Sequence, residues 1–357
     1  MSPWLVSARF DVLAFSLPAL IGLLIGALSG TLAEPSGDTP VWAWLLFVVG
    51  VDVAHVHATT LRVYCDPREL ARRPWLYGTT PLVCLALSVM LYAYSAALFW
   101  RCLAYVALFH FVRQQLGWMR LYRRRGVSAS RFDRRLEEVA IYAATLCPVV
   151  VWHTRLPTSF HWFMQGDFIP GLPPLAAVIA SAVFALCACL FIARQAQLRM
   201  RGERWAWGKI LLFTMTAATW WGGIVLLAND FAFTVTNVVA HGVPYMLVSH
   251  GVARSRERLD ARPARGLLVY LLALCALALG EEWLWDAFVW HEHGALLATP
   301  ALDLEQAAPL LVPLLSLPQL THYLLDGFLW RLDGNNPAFA DWLANPDSAL
   351  AIDTKSA

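Results

Sequence analysis

The stretch that decides the fold class is residues 174–193, PLAAVIASAVFALCACLFIA, which contains no charged side chain. About 20 predominantly apolar residues in a helix are enough to cross the hydrocarbon core of a bilayer. Working outward, we find nine further stretches of this kind, so the sequence predicts an all-α, polytopic transmembrane helical bundle of about ten spans. Numbered in chain order, the predicted spans are about 10–30, 42–61, 79–100, 102–121, 137–153, 174–193, 208–228, 232–252, 266–285 and 309–329.

The composition agrees with a membrane protein and argues against a soluble one. Of 357 residues, 59% are hydrophobic and 15% are charged, whereas soluble domains are typically about 25% charged. The seven cysteines form no Cys-x-x-Cys pair and lie mostly in apolar stretches, so we predict neither a disulfide framework nor a zinc finger. The formal net charge is only +2, and no nucleic-acid partner is predicted.

Charge in the connecting loops predicts the orientation. The Arg-rich loops are 62–73, 120–135, 194–209 and 254–265. The alternate loops, which are neutral or acidic apart from Arg155, are 31–40, 154–173, 229–231 and 286–307. Because basic loops stay in the cytoplasm, ten spans place both termini there. We therefore predict a multi-pass protein of the inner (plasma) membrane of a bacterium, with a transmembrane helical domain over 1–330 and a short cytoplasmic tail over 331–357.

Four of the predicted spans carry a histidine inside the apolar stretch, and all four run in the same predicted direction. These are His55 on span 2, His110 on span 4, His241 on span 8 and His322 on span 10. At 1.5 Å of rise per residue, their depths differ by about 8 Å before tilt. Ionisable side chains inside a bilayer are costly and usually functional, so the four predict a shared metal or proton site.

Each histidine has a polar neighbour three or four residues away, which places both on one helix face. The neighbours are Asp52 for His55, Arg113 and Gln114 for His110, Tyr245 for His241, and Gln319 and Asp326 for His322. We predict that the metal ligands, or the groups that orient them, are Asp52, His55, His110, His241, His322 and Asp326. The residues predicted to orient a substrate or transfer protons are Arg113, Gln114 and Tyr245.

The ligand types also narrow the choice of metal. Imidazole with carboxylate suits iron, manganese or zinc, and the lack of a thiolate disfavours an iron–sulfur cluster. An apolar pocket with these ligands fits oxygen chemistry on a hydrophobic substrate, so non-haem iron is the first prediction. Zinc, manganese and haem remain open.

Structural roles are the alternatives for several of these residues. Asp326 could cap a turn or pair with Arg331, and Arg113 could pair with Asp52. Arg62, near the end of span 2, could extend to the lipid head groups.

Two further histidines and several prolines lie on the same spans. His57 is two residues after His55, so both cannot face one metal unless the helix breaks. His250 is nine residues after His241, with Pro244 between them, and a proline can kink a helix. Whether His57 and His250 join the site stays open. Irregular helix is also predicted in span 10, at Pro309, Pro313 and Pro318.

Asp52-x-x-His55 and the step His241-Gly242 carry a family resemblance. In these motifs, in size and in its polytopic plan, the chain is similar to the membrane β-carotene-cleaving dioxygenases of the Brp/Blh type. The motifs cover a few percent of the chain, and the histidine boxes of membrane fatty-acid desaturases are absent. The resemblance implies iron held by histidines from several spans and a carotenoid as one candidate substrate.

The first functional hypothesis is a membrane-embedded, histidine-ligated, metal-dependent oxidoreductase. It would be an oxygenase or desaturase-like enzyme acting on a lipid or isoprenoid-like apolar substrate, with an electron donor as a further partner. One alternative is a proton-coupled transporter, since intramembrane His and Asp residues also form proton relays. Inverted repeats would support that alternative, and none is visible in the sequence. The other alternative is a haem-binding membrane protein.

Overall fold

The structure is a computed structural model that describes residues 3–32, 39–125, 130–157, 162–259, 266–300, 302, 305–332 and 334–345. Every regular element within these ranges is a helix, which confirms the all-α prediction. Nine of the described helices are long and apolar enough to cross a membrane, and two shorter helices joined at a bend together make a tenth span. The protein is therefore a multi-pass membrane protein, and the cytoplasmic location of its termini stays a prediction.

The spans correspond one to one with those predicted and keep their numbers. They are Ala8–Ala27, Val41–Val63, Pro74–Tyr94, Ala96–Arg124, Arg131–His153, Pro174–Met200, Trp207–Leu227, Asp230–Glu257, Leu267–Trp290 and the bent pair Ala308–Leu315 with Leu317–Leu329. Shorter helices are Ser29–Leu32, Pro67–Arg72, Gly294–Leu297 and Pro337–Ala344, and Glu305–Ala307 is a 3-10 turn.

Side-chain caps fix where several of these helices begin. Before span 5, Ser130 Oγ accepts a hydrogen bond from the Asp133 backbone N–H, while the Asp133 carboxylate accepts from the Ser130 N–H, both at 3.1 Å. This reciprocal capping box satisfies two backbone donors that the first helical turn leaves unpaired. At the start of span 8, Asn229 Oδ1 accepts from the Ala232 N–H at 2.8 Å in the same way.

The junction between spans 3 and 4 lies at Ser95 and not, as predicted, at Trp100-Arg101. Ser95 has an extended backbone, with φ −163° and ψ 115°, and its Oγ accepts from the Leu98 N–H at 3.2 Å. A capping serine therefore sets the boundary. Arg101, which falls between predicted spans 3 and 4, lies inside span 4.

The chain folds as two compact units, and unit 1 comprises Met1–Phe47 and Ala104–Pro244. One of its apolar clusters is formed by Ala43, Phe47, Phe231, Val235 and Val239. Gly22 packs directly against the Val235 carbonyl oxygen, at a separation that leaves no room for a side chain. At another point in this unit, Glu137 accepts from Lys209 Nζ at 2.6 Å and from Arg123 Nε at 2.7 Å. Each buried charge there has an opposite partner.

Unit 2 comprises Val48–Leu103 and Tyr245–Ala357. Its apolar cluster consists of Val63, Tyr77, Leu325 and Leu329. Tyr64, just beyond span 2, is half-buried at the edge of this cluster, and burial raises the pKa of its phenol to about 12. Its hydroxyl therefore stays protonated near neutral pH and donates to the Tyr77 carbonyl oxygen at 2.9 Å.

Two of the spans that carry the predicted site residues contain π-helical stretches. The stretch Trp44–Val53 ends just before the α-helical segment that carries His55. The stretch Thr234–Val238 ends just before the segment that carries His241. A π-helix closes its hydrogen bonds over five residues and is often found at functional sites. These stretches change the rotation of every residue that follows them, which α-helical spacing alone does not capture.

Span 10 is bent by 43° where Leu315 and Leu317 flank Ser316. Pro313 and Pro318 lie on either side of the bend, and proline supplies no backbone N–H to the helix. Ser316 Oγ donates to the Val312 carbonyl oxygen at 2.9 Å. The irregularity predicted for span 10 is therefore present, whereas in span 8 the helix continues through Pro244.

Part of the predicted cytoplasmic tail is folded. Within 331–357, the helix Pro337–Ala344 carries Phe339 and Trp342, both fully buried. The Trp342 indole packs so closely on Gly251 that a side chain there would overlap it. Residues 346–357 of the predicted tail lie outside the described residues. The division into 1–330 and 331–357 stays a prediction.

Removing the Trp342 indole should destabilise the protein by about 3–5 kcal/mol, because a large buried aromatic leaves a cavity that its surroundings fill only in part. The measurement is thermal or denaturant unfolding of detergent-purified Trp342→Ala. Trp75→Ala is the control, since Trp75 is 83% exposed. Equal stability of Trp342→Ala and Trp75→Ala would show that the tail helix does not contribute to the fold.

Candidate metal centre

His55 and His322 form one pair of buried imidazoles. Their ring centroids lie 5.0 Å apart at 79°, an edge-to-face arrangement. His55 follows the π-helical stretch of span 2 by two residues, and His322 lies in the second half of the bent span 10. The relative exposures are 1% for His55 and 0% for His322. Both irregular helices thus direct an imidazole into the protein interior.

His110 and His241 form a second pair with the same geometry. Their centroids are also 5.0 Å apart at 79°, and both rings are buried. The His241 ring stacks on Phe111, with 3.8 Å between centroids and 8° between planes. The Phe111 ring therefore restricts the orientation of His241 without occupying either of its ring nitrogens.

The four histidines together form a buried cluster that could hold a metal ion. One ring nitrogen from each of His55, His110, His241 and His322 can be chosen so that all lie within 4.8 Å of one another. Imidazole nitrogens bind zinc at about 2.0–2.1 Å in a tetrahedral arrangement, so two nitrogens on one such ion are about 3.4 Å apart. The limit of 4.8 Å is wider than this, so the rings would move closer together on binding one ion.

Contacts at Nδ1 set the tautomer of two of the rings. His55 Nδ1 lies 3.3 Å from the Val51 carbonyl oxygen, which can only accept, so Nδ1 carries the proton and donates. His322 Nδ1 lies 2.9 Å from Thr59 Oγ1. A ring protonated on Nδ1 presents its lone pair on Nε2, and metal-binding histidines are usually oriented by such a hydrogen bond from the other ring nitrogen.

Two carboxylates lie behind these same rings. Asp52 Oδ1 is 3.6 Å from His55 Nδ1, and Asp326 Oδ1 is 3.6 Å from His322 Nδ1. This distance is too long for a hydrogen bond but short enough for an electrostatic attraction. The four-histidine group does not include either carboxylate. The structure thus places Asp52 and Asp326 beside the rings, where the sequence had left ligation and orientation as alternatives.

Tyr245 links span 8 to the His322 ring. Its hydroxyl donates to Asp326 Oδ1 at 2.7 Å and lies 3.0 Å from Thr59 Oγ1. An ionised carboxylate can only accept, so with Asp326 ionised the chain of hydrogen bonds runs in one direction. His322 Nδ1–H donates to Thr59, Thr59 donates to Tyr245, and Tyr245 donates to Asp326. Trp330 Nε1 also donates to Asp326 Oδ1, at 3.2 Å.

The two polar residues predicted to share the face of His110 lie in different places. Gln114 Nε2 donates to the His241 carbonyl oxygen at 3.4 Å, so it supports the backbone of a histidine in the cluster. Arg113 is exposed, and its Nη1 donates to Tyr142 Oη at 2.7 Å. The alternative in which Arg113 pairs with Asp52 is not what the structure shows, because Tyr142 on span 5 is the partner.

His57 and His250 are buried but lie outside the four-histidine group. His57 Nε2 is 3.0 Å from Glu281 Oε2 on span 9. The His250 ring lies 5.3 Å from that of Tyr270. Each faces a different neighbour from the cluster, as expected for residues two and nine positions further along a helix.

Comparisons with known proteins do not assign the chain to a family. No protein-family model, curated protein or solved structure matches the chain. The functional argument therefore rests on the geometry of the centre itself.

Three residues of the centre were missed by the sequence analysis. Thr59, Phe111 and Trp330 contact His322, His241 and Asp326, respectively. Thr59 lies four residues after His55 and so on the same face of span 2, which is a signal that was available. Nothing in the sequence distinguishes Phe111 or Trp330 from the many other aromatic residues of the spans.

Replacing Thr59 by valine should weaken metal binding about tenfold, since loss of a group that hydrogen-bonds to a ligand histidine typically costs about 10–100-fold in metal affinity. The change keeps the shape of the side chain but removes the hydroxyl between His322 and Tyr245. The measurement is competition with a graded series of chelators. Thr60→Val makes the same chemical change one residue along the helix and should leave affinity unchanged; equal affinity of the two variants would contradict the assignment.

Proposed function

We propose that the protein is a membrane-embedded, metal-dependent oxidoreductase, an oxygenase acting on a lipid or isoprenoid-like apolar substrate. The metal is non-haem iron, and its ligands are His55, His110, His241 and His322. The observation that carries the proposal is the approach of four buried imidazoles to within 4.8 Å of one another. Ionisable side chains are rarely gathered in the interior of a membrane protein without a function.

The chemistry of the donor set is compatible with iron and disfavours manganese among the metals considered. Imidazole suits iron, zinc and copper, whereas manganese prefers carboxylate and water oxygens. When bound, iron would supply activation of dioxygen, and an apolar surrounding fits an apolar substrate. Haem is less well accommodated, because bis-imidazole ligation needs a slot for the macrocycle and the paired rings are only 5.0 Å apart. Zinc remains the alternative for a centre with a structural or hydrolytic role.

The carboxylates complete the electrostatics of the proposed centre. Four neutral imidazoles do not compensate the charge of a divalent cation. Asp52 and Asp326, each 3.6 Å from a ligand ring, would supply opposite charge without entering the coordination sphere. Carboxylate behind histidine is a common arrangement at metal sites and raises the basicity of the ligand.

The remaining groups have roles in orientation and proton handling. Tyr245 and Thr59 would hold His322 and could pass a proton between its Nδ1 and Asp326. Gln114 would hold the backbone of His241. The proposal does not include Arg113, because its guanidinium is exposed and bound to Tyr142.

A carotenoid or related polyene is the substrate class that we propose, in line with the resemblance drawn from Asp52-x-x-His55 and His241-Gly242. Such a substrate would enter from the lipid. A reaction that incorporates both atoms of dioxygen needs no external reductant. A reaction that incorporates one atom would require an electron donor as a partner.

Replacing His110 by alanine should abolish stoichiometric iron binding, since it removes one of four ligands. The measurement is elemental analysis and an optical spectrum of the detergent-purified protein, followed by oxygen uptake on addition of β-carotene. His153→Ala is the matched control, because His153 is equally buried but bonds to Tyr105 at 2.9 Å and lies outside the cluster. It should keep both the metal and the oxygen uptake.

The same sample separates the alternatives. A Soret band would indicate haem and would overturn the non-haem centre. A protein without metal that carries a proton-coupled flux in proteoliposomes would indicate a transporter. Bound zinc without oxygen uptake would retain the centre but remove the oxygenase.

Replacing Asp326 by asparagine should weaken metal binding about 10–100-fold and not abolish it, because the carboxylate acts through His322. Asp52→Asn should behave similarly. Asp341→Asn, the same chemical change at a half-buried position on the tail helix that lies outside the four-histidine group, is the control. Complete loss of metal in Asp326→Asn, equal to that in His110→Ala, would show that Asp326 is itself a ligand.

A further inference from the structure

Unit 2 contains a polar cavity of about 60 Å³ beside the ends of spans 2, 8 and 9. A single water needs about 10–15 Å³ on this measure, so the cavity has room for a few waters or one small oxyanion. Its charged lining consists of three guanidinium groups, those of Arg62, Arg254 and Arg256, against the two carboxylates of Asp66 and Glu257. The lining therefore has an excess of positive charge.

Arg256 has its charge satisfied by protein groups. Its Nη1 donates to the Arg62 carbonyl oxygen at 2.7 Å and lies 3.3 Å from Asp66 Oδ2, while Nη2 lies 3.5 Å from Glu69 Oε2. Both carboxylates are themselves buried. This guanidinium is therefore part of the scaffold of the cavity and needs no ligand.

Arg62 differs from Arg256 because the described part of the chain gives it no carboxylate partner. Its Nη2 donates to the Leu329 carbonyl oxygen at 2.8 Å, and its guanidinium carbon lies 4.6 Å over the Trp330 ring. Nε and Nη1 are buried without a hydrogen bond among the described residues. The residue is only 8% exposed. The alternative of an Arg62 side chain extended to the lipid surface therefore does not hold.

Glu69 and Asp326 act on the Arg62 charge only at longer range, and a buried cation without a carboxylate in direct contact is costly. A buried guanidinium also has a preferred partner, since its planar fork of N–H donors matches phosphate and carboxylate oxygens. Span 2 ends beside the Arg-rich loop 62–73, on the side where anionic head groups attract basic residues. A phosphate group would supply an anion in direct contact with Arg62 and acceptors for its unbonded Nε and Nη1.

We propose that this cavity binds a phosphate group, either that of a lipid head group or free phosphate, with Arg62 as its principal ligand. Nε and Nη1 of Arg62 are buried beside the cavity, so the outer part of the side chain would rotate to bring them to the ligand. Arg254 contributes a second guanidinium at the cavity wall. None of the four histidines lines the cavity, although Arg62 stacks on Trp330, which bonds to Asp326. Phosphate binding does not depend on the proposed oxygenase activity.

The test uses the full-length protein in a maltoside detergent, which contains no phosphate. Calorimetric titration with inorganic phosphate and with short-chain phosphatidic acid distinguishes the two sources. Short-chain diacylglycerol has the same tails without the phosphate and serves as the ligand control. If phosphatidic acid binds at least about tenfold more tightly than phosphate and the two compete, the source is a lipid; comparable affinities indicate free phosphate.

Three variants tie the binding to the cavity. Arg62→Gln should weaken binding of the better probe at least about tenfold, since hydrogen bonds to a charged group are among the strongest in proteins. Ala253→Leu fills the half-buried cavity wall but retains Arg62, and should block binding even if Arg62→Gln fails to fold. Arg199→Gln removes an exposed arginine near the end of span 6 and should have no effect.

Two results would overturn the proposal. The first is the absence of saturable binding of either phosphate probe to the wild-type protein. The second is equal binding to wild type, Ala253→Leu and Arg199→Gln, which would place the anion elsewhere on the basic surface.

Discussion

Polar groups buried in this protein need partners, either within the protein or from a bound ligand, because an unsatisfied one in an apolar interior costs several kcal/mol. The centre follows from this constraint. His55 Nδ1 donates to the Val51 carbonyl oxygen, and His322 Nδ1 is hydrogen-bonded to the Thr59 hydroxyl. The Tyr245 hydroxyl donates to the Asp326 carboxylate. Four imidazoles gathered at one point also concentrate several lone pairs. A cation is a small species that could accept all of them together, and the carboxylates behind the rings would then balance its charge.

Departures from regular α-helix lie just before three of the four histidines. π-Helical stretches precede His55 and His241, and the bend at Ser316 precedes His322. His110 lies on a helix without such a break, and the neighbouring Phe111 stacks on His241. Irregular turns expose backbone carbonyls and rotate the following side chains. In these three spans the irregular turns therefore lie where a histidine side chain is directed into the protein interior.

Much of the architecture could be predicted because long apolar stretches and alternating loop charge report directly on the bilayer. The four histidines could be chosen as a group for the same reason, since an imidazole within an apolar run stands out. Their partners were harder to predict. α-Helical spacing placed Asp52 and Asp326 beside their histidines, but it also placed Arg113 near His110, whereas the structure has it exposed on Tyr142. Spacing along one helix does not specify which neighbouring helix a side chain meets. The helix boundary at Ser95 depends on local capping, and the burial of Trp342 depends on tertiary packing. The pattern of apolar residues along the sequence predicts neither.

Because Trp44–Val53 is π-helical, the number of residues in this stretch determines the direction in which His55 faces. In an α-helix one residue corresponds to about 100° of rotation. Loss of a single residue from this stretch would let it relax to ordinary α-helix and still cross the bilayer. His55 would then face away from His110, His241 and His322. Among homologous chains, a one-residue gap between positions 44 and 53 would therefore separate those that inherit only the scaffold from those that inherit the centre.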